Sequence, residues 1–441
     1  GEVFLICKGA VDEVSSICEE YDLHGKKHKL THEDLEKLQK LNEEKSNEGF
    51  RVIAVAVKKL ADGRKYYGNK DEEKLTFLGF MTFFDPPKES AAGAIKRLEK
   101  YGITVKVLTG DNELVTKKVC KEVGLTAFDN GNSNVLLGSQ IAGLSDQELE
   151  QKAETTTIFA KLSPDDKKRV VQALQKNHVV GFLGDGINDA PALRTADVGI
   201  SVDSAVDIAK ESADIILLEL SLLVLADGVV EGRKVFGNII KYIRMGASSN
   251  FGNMFSVLGA SLFLPFLPMA PLQVIANNLL YDLSQTAIPT DTVDPEYIEK
   301  PRKWDIADIR RFMFFFGPTS SVFDYVTFGV MIFVFHAWLN NVKLFQTAWF
   351  VESLLTQTLI VHVIRSRKIP FLQTWPSLPL LATTTIIMAI GIYLPFSPLA
   401  SSLEFVKLPF AFWPILVAIL LSYVVLTQLV KIWYSRRFGY N

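Results

Sequence analysis

Apolar residues are concentrated in the second half of this chain, and this distribution limits the folds open to it more than any other feature. Up to about residue 235 the sequence is densely charged, whereas beyond it charges retreat to short clusters between long apolar runs. Each of six runs is near the ~20 residues with which a helix crosses a bilayer. The runs are 243–266, 269–289, 312–335, 347–364, 378–395 and 411–430. We therefore expect a folded, charged half followed by six membrane-spanning helices.

The basic residues between these runs alternate in a way that predicts orientation. Clusters of lysine and arginine precede the first run, separate the second from the third and the fourth from the fifth, and follow the sixth. The alternate connections hold no basic residue, Lys343 alone and Lys407 alone. This positive-inside pattern predicts that residues 1–240 and the C-terminus are cytosolic. The net charge of −2 gives no reason to expect a nucleic-acid partner.

The charged half contains a short acidic string, Gly184 to Leu193, directly after the apolar run 179–183. A buried strand that ends in Gly-Asp-Gly turns sharply and offers acidic side chains at the carboxyl end of a parallel sheet, where ligands bind in open α/β folds. Asp185 and Asp189 supply carboxylates there, and Asn188 supplies a carboxamide. Oxygen ligands of this kind suit Mg²⁺ shared with substrate phosphates.

Two further motifs in this half are typical of phosphoryl chemistry. A second predicted strand, 104–108, runs into Thr109, Gly110 and Asp111, where a hydroxyl and a tight turn can cradle a phosphoryl group. The string Ser163 to Lys167 opens a helix and places Lys167 in its first turn. A lysine at this point can stabilise the charge on a transferred phosphoryl group, although a solvated surface charge is the ordinary alternative.

Polar residues inside the first two apolar runs predict an ion site. If the chain folds back between the runs, Asn253 and Asp282 lie at equal depth near mid-membrane, and Asn278 shares a helix face with Asp282. Intramembrane carboxylates are costly and are usually functional. Hydrogen bonding between helices is the alternative for the neighbouring amides. Three other polar residues in the runs have no partner pattern, and we assign them to packing or to interfaces: Asp324, Gln357 and His362.

The motifs, in this order and spacing, resemble those of P-type ATPases, which are ATP-driven ion pumps. The resemblance assigns Thr109, Gly110 and Asp111 to the phosphate-site loop, Lys167 to contact with the phosphoryl group, and Asp185 to the catalytic Mg²⁺. Asn188 and Asp189 complete the same hinge motif.

The resemblance also implies a nucleotide site and a domain organisation. Lys8, in Lys-Gly-Ala, and Arg51, in Gly-Phe-Arg-Val, resemble the ATP-contacting residues of the family. The implied fold is the C-terminal part of an α+β nucleotide-binding domain (1–80), then a Rossmann-like α/β phosphorylation domain of the haloacid dehalogenase type (81–234). An α-helical transmembrane bundle of six helices (235–441) follows.

The subfamily that the ion-binding hairpin resembles is the bacterial magnesium-transporting P-type ATPases. This implies ATP and Mg²⁺ as cofactors, Mg²⁺ as the imported ion, and a bacterial plasma membrane as the location. The family's phosphorylated Asp-Lys-Thr-Gly-Thr loop does not occur in this sequence, and neither do its Thr-Gly-Glu loop and first four membrane helices. We therefore expect the C-terminal portion of a pump, whose partner is the remaining N-terminal part of the same protein.

Three alternatives remain at this point. The first is a pump of the same class for Ca²⁺ or another cation. The second is a membrane-anchored phosphatase, which would need its nucleophilic Asp within this chain, yet neither strand-end acid, Asp111 or Asp185, has the Asp-x-Asp/Thr form. The third is a sensor or scaffold that binds nucleotide without turnover.

Overall fold

The computed structural model of this chain describes residues 2–60, 67–84, 86–125, 135–219 and 221–439. These residues form two compact units, Gly1–Asp227 and Gly228–Asn441. The first unit contains all the strands that the structure describes, and the second is helical. This division follows the change from charged to apolar sequence.

The first unit begins with a five-stranded sheet in the order β1-β4-β5-β2-β3, mostly antiparallel. One face of the sheet is buried against helices and contains Ala54 and Ala56, which pack with Val11 and Val14. Because side chains alternate between the two faces of a strand, the intervening residues point to the other face. The elements are β1 (Val3–Gly9), α1 (Val11–Ser16), β2 (Cys18–Leu23), β3 (Lys26–Lys29), α2 (His32–Asn47), β4 (Phe50–Leu60) and β5 (Leu75–Phe84).

The rest of the first unit alternates strands and helices, and every described strand pair in it is parallel. The strands form two three-stranded sheets, β6-β8-β7 and β11-β10-β9. The elements are α3 (Ser90–Lys100), β6 (Val107–Leu108), α4 (Glu113–Glu122), β7 (Val135–Leu137), α5 (Gly138–Ile141), α6 (Asp146–Thr155), β8 (Ile158–Ala160), α7 (Pro164–Gln175), β9 (Gly181–Leu183), α8 (Ala190–Thr195), β10 (Val198–Val202), α9 (Asp207–Glu211) and β11 (Ile215–Leu217). The strands expected at 104–108 and 179–183 are therefore present, but each is shorter than predicted.

Lys106 fixes the chain immediately before β6. Its Nζ donates hydrogen bonds to the carbonyl oxygens of Ala153, Glu154 and Thr156, at 2.8, 3.0 and 2.6 Å. These carbonyls lie at the C-terminal end of α6, where a cation complements the helix dipole. Burial lowers the pKa of Lys106. This contact ties α6 to the strand that leads into the Thr109 turn.

The second unit is helical, and a helix overlaps each of the six apolar runs. The helices are α10 (Leu222–Ala260), α11 (Pro271–Gln285), α12 (Pro295–Ile298), α13 (Ile306–Gly329), α14 (Val342–Ile364), α15 (Leu378–Tyr393) and α16 (Phe412–Phe438), of which α10 begins before the unit boundary and the short α12 lies outside the runs. Among the described residues, three helices are long and apolar enough to cross a membrane: Val342–Ile364, Leu378–Phe396 and Phe412–Phe438. Six were expected. The helix α11, for example, has only 15 residues, fewer than the ~20 of a full span.

The helix α14 lies at the centre of the second unit and contacts α11, α13, α15 and α16. Nearly all of its side chains are buried. On another side of the unit, α10 and α13 approach closely at two glycines. A Cβ atom on Gly252 would lie 2.8 Å from the carbonyl oxygen of Gly317. Glycine is therefore required where these helices cross.

Candidate functional site

The acidic string Gly184 to Leu193 forms a tight loop between β9 and α8. A single 3₁₀ turn, Ile187–Asp189, leads into the helix. A Cβ atom on Gly184 would lie only 2.6 Å from the Cβ of Asp189, so the loop can close only with glycine there. The Asp189 Oδ2 atom accepts hydrogen bonds from the backbone amides of Asp185 and Gly186, at 3.3 and 3.1 Å. Asp189 thus holds the loop in one shape.

Lys167 reaches this loop from α7 and pairs with Asp189. Its Nζ donates to Asp189 Oδ1 at 2.7 Å, and the two side chains are only 10% and 13% exposed. The helix begins as the sequence predicts, because Ser163 and Asp166 form a capping box and Pro164 occupies the first helical position. The structure therefore brings together two of the predicted site residues, Lys167 and Asp189.

Asp185 and Asn188 occupy the outside of the same loop. Both side chains are exposed, whereas both carboxylate oxygens of Asp189 already have partners. Within the described residues, no group of three or more His, Cys, Asp or Glu side chains is placed to hold a metal ion. A cation bound here would take few ligands from this chain and the rest from water and phosphate, as Mg²⁺ commonly does.

The Thr109 turn follows β6 and is closed by its own side chains. The Asp111 backbone amide donates to Thr109 Oγ1 at 3.0 Å, and that hydroxyl lies 3.1 Å from Asp111 Oδ2. Gly110 is exposed at the tip. Across the described ranges, no hydrogen bond joins this turn to the Gly184 loop, but Leu108 packs against the apolar clusters beside both β8 and β9. The two loops therefore follow strands that share a core.

Arg51 connects the first sheet to the Thr109 turn. Its Nε lies 3.6 Å from Asp111 Oδ1, and both side chains are partly exposed, at 66% and 45%. The strand register pairs Lys8 with Val55, and Val55 lies on the same face of β4 as Arg51. Lys8 and Arg51 therefore share the face of the sheet that the helices leave uncovered.

That uncovered face is apolar as well as basic. Phe4, Ile6, Met81 and Phe83 are 50%, 69%, 51% and 45% exposed on it. The register places them beside the two cations, since Phe83 pairs with Arg51. A surface that combines apolar side chains with two positive charges can accept a planar base and the phosphates attached to it.

The predicted ion-site residues of the second unit are not brought together by hydrogen bonds within the described residues. Asn278 and Asp282 are exposed on α11, whereas the residues that α11 turns inward include Asn277 and Tyr281. Asn253 is partly buried on α10 and bonds to α14 instead of to Asp282. The transport role of these residues stays a prediction.

Gln357, on α14, is the centre of the inward-facing polar cluster. Its Nε2 lies 3.2 Å from Asn253 Oδ1, 3.3 Å from Asn277 Oδ1 and 2.6 Å from Ser353 Oγ. Its Oε1 accepts from Ser249 at 2.9 Å. The cluster joins α10, α11 and α14. Sequence reasoning found Gln357 but assigned it to packing, and it missed Asn277.

Two acidic residues lie deep in the same unit. Asp324, on α13, accepts hydrogen bonds from Ser256 at 2.5 Å and from Trp349 at 2.8 Å. Glu352, one turn beyond Trp349 on α14, is fully buried. It is close enough to Asp324 for the two carboxyl groups to interact. Glu352 is an acidic residue within the apolar run 347–364, which was a signal in the sequence. The sequence analysis did not identify this residue.

Two family profiles match this chain. Residues 1–90 match the P-type ATPase cytoplasmic domain N, and residues 266–433 match the cation transporting ATPase C-terminus. The magnesium-transporting ATPase, P-type 1, of Escherichia coli K12 is 55% identical over 99% of this chain. The chain belongs to the P-type ATPases. The resemblance expected from the motifs is confirmed.

Two further P-type ATPases match different shares of this chain. A magnesium-transporting ATPase of Salmonella typhimurium (strain 14028s / SGSC 2262) is also 55% identical over 99% of it. A calcium-transporting ATPase of Listeria monocytogenes is 32% identical over 74% of the chain, which covers 36% of that relative. The chain spans 48% of the length of both magnesium-transporting relatives, so it corresponds to about half of such a pump.

Proposed function

We propose that this chain is the C-terminal part of an ATP-driven pump that imports Mg²⁺ across a bacterial plasma membrane. The observation that carries the proposal is the buried Lys167–Asp189 pair, which shapes the loop carrying Asp185, in a chain whose second unit is built from apolar helices. The higher identity to relatives named for magnesium than to one named for calcium favours Mg²⁺ as the ion.

The phosphoryl chemistry belongs to residues 81–234, which we assign to a haloacid dehalogenase-type domain. Thr109, Gly110 and Asp111 would cradle the phosphoryl group in the turn after β6. Lys167, paired with Asp189, would supply positive charge beside it. Asp185 and Asp189 would provide the carboxylates for the catalytic Mg²⁺, and Asn188 would complete the catalytic loop. Such fixed charges stabilise a phosphoryl group in transfer without reorganisation.

The nucleotide-binding role belongs to residues 1–80. The face that carries Lys8, Arg51 and the exposed apolar side chains supports binding of ATP, with the base on the apolar surface and the cations near the phosphates. The 3.6 Å approach of Arg51 to Asp111 also supports a role for this arginine beside the phosphate loop. The phosphorylated aspartate would come from the part of the pump outside this sequence.

Transport belongs to residues 235–441, which we propose form six membrane-spanning helices with both ends cytosolic. Asn253, Asn278 and Asp282 would form the Mg²⁺ site. Asn278 and Asp282 are exposed on α11. They could therefore bind the ion together with ligands from another part of the pump. Mg²⁺ keeps several of its waters when bound, so one carboxylate and two carboxamides can suffice.

The experiment that tests the proposal compares the full-length protein with this chain alone. The full-length protein should form an acid-stable, hydroxylamine-sensitive phosphoenzyme from γ-labelled ATP, because an aspartyl phosphate is the expected covalent intermediate. This chain alone should not be labelled. Labelling of the isolated chain would place the nucleophile within it and favour the phosphatase alternative, whereas nucleotide binding without labelling in the full-length protein would favour the sensor.

A further inference from the structure

A strained residue lies between β8 and α7, beside the Thr109 turn. Lys161 has a φ of 52°, in the left-handed region that residues other than glycine, asparagine and aspartate seldom adopt. Such a conformation is unfavourable, persists only where the surrounding structure imposes it, and is often found at functional sites. The side chain of Lys161 is exposed, so the contacts of its backbone must impose the strain.

The backbone amides of Lys161 and Leu162 both bond to the Thr109 turn. The Lys161 amide donates to the Asp111 carbonyl oxygen at 2.9 Å, and the Leu162 amide donates to the Thr109 carbonyl oxygen at 3.0 Å. A regular continuation of the parallel pairing between β6 and β8 would give the Thr109 carbonyl to Lys161 instead, and the next amide would point away. The left-handed conformation at Lys161 therefore lets two consecutive amides hold the same turn.

Gly138, at the first position of α5, packs against the other side of this junction. It is buried, and it follows β7, which pairs with β8 on the side away from β6. A Cβ atom on Gly138 would overlap the Lys161 carbonyl oxygen and would lie 3.2 Å from Asp166 Oδ2. Only glycine leaves room for the Lys161 backbone, although Gly138 belongs to none of the motifs identified in the sequence.

The same junction sets the start of α7. Ser163, two residues after Lys161, caps this helix, and its amide and hydroxyl donate to Asp166 Oδ2 at 3.0 and 2.7 Å. Lys167 then lies in the first turn of the helix and reaches Asp189 in the Gly184 loop. The segment 161–167 therefore contacts the Thr109 turn at one end and the Gly184 loop at the other.

We infer that the left-handed backbone at Lys161, supported by Gly138, is the positioning element that sets the Thr109 turn at a fixed distance from Lys167. This inference rests on the proposed phosphoryl-transfer function of the two loops. With ordinary strand conformation at Lys161, one of the two amides would lose the turn, and the turn could shift relative to Lys167. A misplacement of about 1 Å at a reacting centre can slow the reaction about 10²-fold.

Two substitutions at Lys161 separate its backbone from its side chain. Lys161→Asn and Lys161→Val both remove the ammonium group, but asparagine tolerates the left-handed region and a β-branched residue does not. In the full-length protein, Lys161→Val should form phosphoenzyme from γ-labelled ATP about tenfold or more slowly than Lys161→Asn. Their nucleotide affinities should be equal. Equal rates in the two variants, or a slower Lys161→Asn, would overturn the inference.

Gly138→Ala tests the other side of the junction. Its methyl group would displace the Lys161 carbonyl, so phosphoenzyme formation should slow about tenfold or more while nucleotide affinity is retained. Gly143→Ala is the matched control, because a Cβ atom there would lie 3.7 Å from its nearest neighbour, and it should leave the rate unchanged. A Gly138→Ala variant as fast as Gly143→Ala would contradict the role of Gly138.

Hydrogen exchange of this chain alone tests the geometry without any activity. The amides of Lys161 and Leu162 should be protected in Lys161→Asn and about tenfold less protected in Lys161→Val, because their bonds to the turn are lost. Equal protection in the two variants would overturn the inference even in an active pump. A wild-type protein that forms no phosphoenzyme would instead contradict the proposed function, and the exchange result would still decide whether Lys161 positions the turn.

Discussion

The predicted site residues are connected differently in the loops of the first unit and in the helices of the second. In the first unit, Lys167 and Asp189 are 22 positions apart in sequence but pair at 2.7 Å. In the second, Asn253 and Asp282 were predicted to share an ion site; Asn253 bonds to Gln357, and Asp282 is exposed on α11. The end of a strand places the following loop at one edge of the sheet. The position of a residue along a helix, by contrast, does not show how the helix is rotated about its axis.

The rotation of α11 makes this difference concrete. Successive residues on an α-helix differ by about 100° in direction, so Asn277 and Asn278 face different sides. Asn277 is 2% exposed and bonds within the unit, while Asn278 is exposed. The polar residues of α11 can be recognised in the sequence, but the sequence does not show which of them the unit buries.

The largest effect is expected from Asp185→Asn in the full-length protein. Loss of the charge that holds the catalytic Mg²⁺ should reduce phosphoenzyme formation by a factor of about 10²–10³, while ATP binding stays near the wild-type value. Labelling with γ-labelled ATP and a nucleotide-binding assay measure the two quantities. The control is Asp165→Asn, an exposed acid on α7, which should leave both unchanged. Normal labelling of Asp185→Asn would remove this residue from the metal site.

The second prediction concerns the membrane site. Asp282→Ala should abolish Mg²⁺ uptake by the full-length protein while ATP binding is retained. The reason is that the proposed ion site of Asn253, Asn278 and Asp282 would lose its only anion. Asn253→Ala should weaken the apparent affinity for Mg²⁺ about fivefold, since a carboxamide contributes one dipolar contact. Leu279→Ala, a change at a side chain 58% exposed on the same helix, is the control for Asp282. Unchanged uptake by Asp282→Ala would remove Asp282 from the ion site.

The third prediction concerns the packing of α10 against α13 in the second unit. Gly252→Ala should lower the stability of the detergent-solubilised chain by about 1–3 kcal/mol, because the new methyl group overpacks the crossing. Gly246→Ala is matched to it on the same helix, where a Cβ atom would meet nothing within 4 Å, and it should be neutral or slightly stabilising. Equal melting temperatures for the two variants would contradict the close approach at Gly252.

The last prediction concerns Lys106→Met in the first unit. The three carbonyl oxygens at the end of α6 would lose their charged donor, which should cost about 2 kcal/mol of the free energy of unfolding. Denaturant unfolding of the chain, followed by a probe in the first unit, measures this. Lys100→Met, at an exposed position on α3, should change it little. An equally stable Lys106→Met would show that the strand before β6 does not need this anchor.

Much of the fold was predictable because its signals are local. These signals are the capping box at Ser163, the glycine at 184 and the six apolar runs, each of which lies within one continuous segment of the sequence. A helix or a turn is present at each of these places. Contacts between helices depend instead on side chains distant in sequence. Trp349 and Ser256 both bond to Asp324, and no spacing in the sequence connects these three residues. For this reason Asp324 and Gln357 were assigned to packing, and Glu352 was overlooked.

Ion uptake by the full-length protein in sealed proteoliposomes tests the central claim most directly. With ATP supplied on the side of the nucleotide-binding unit, isotopically labelled Mg²⁺ should move across the membrane, and Asp185→Asn and Asp282→Ala should each stop it. The first change would do so by removing the phosphoenzyme and the second by removing the ion site. ATP-dependent movement of Ca²⁺ without Mg²⁺ in the wild type would contradict the account.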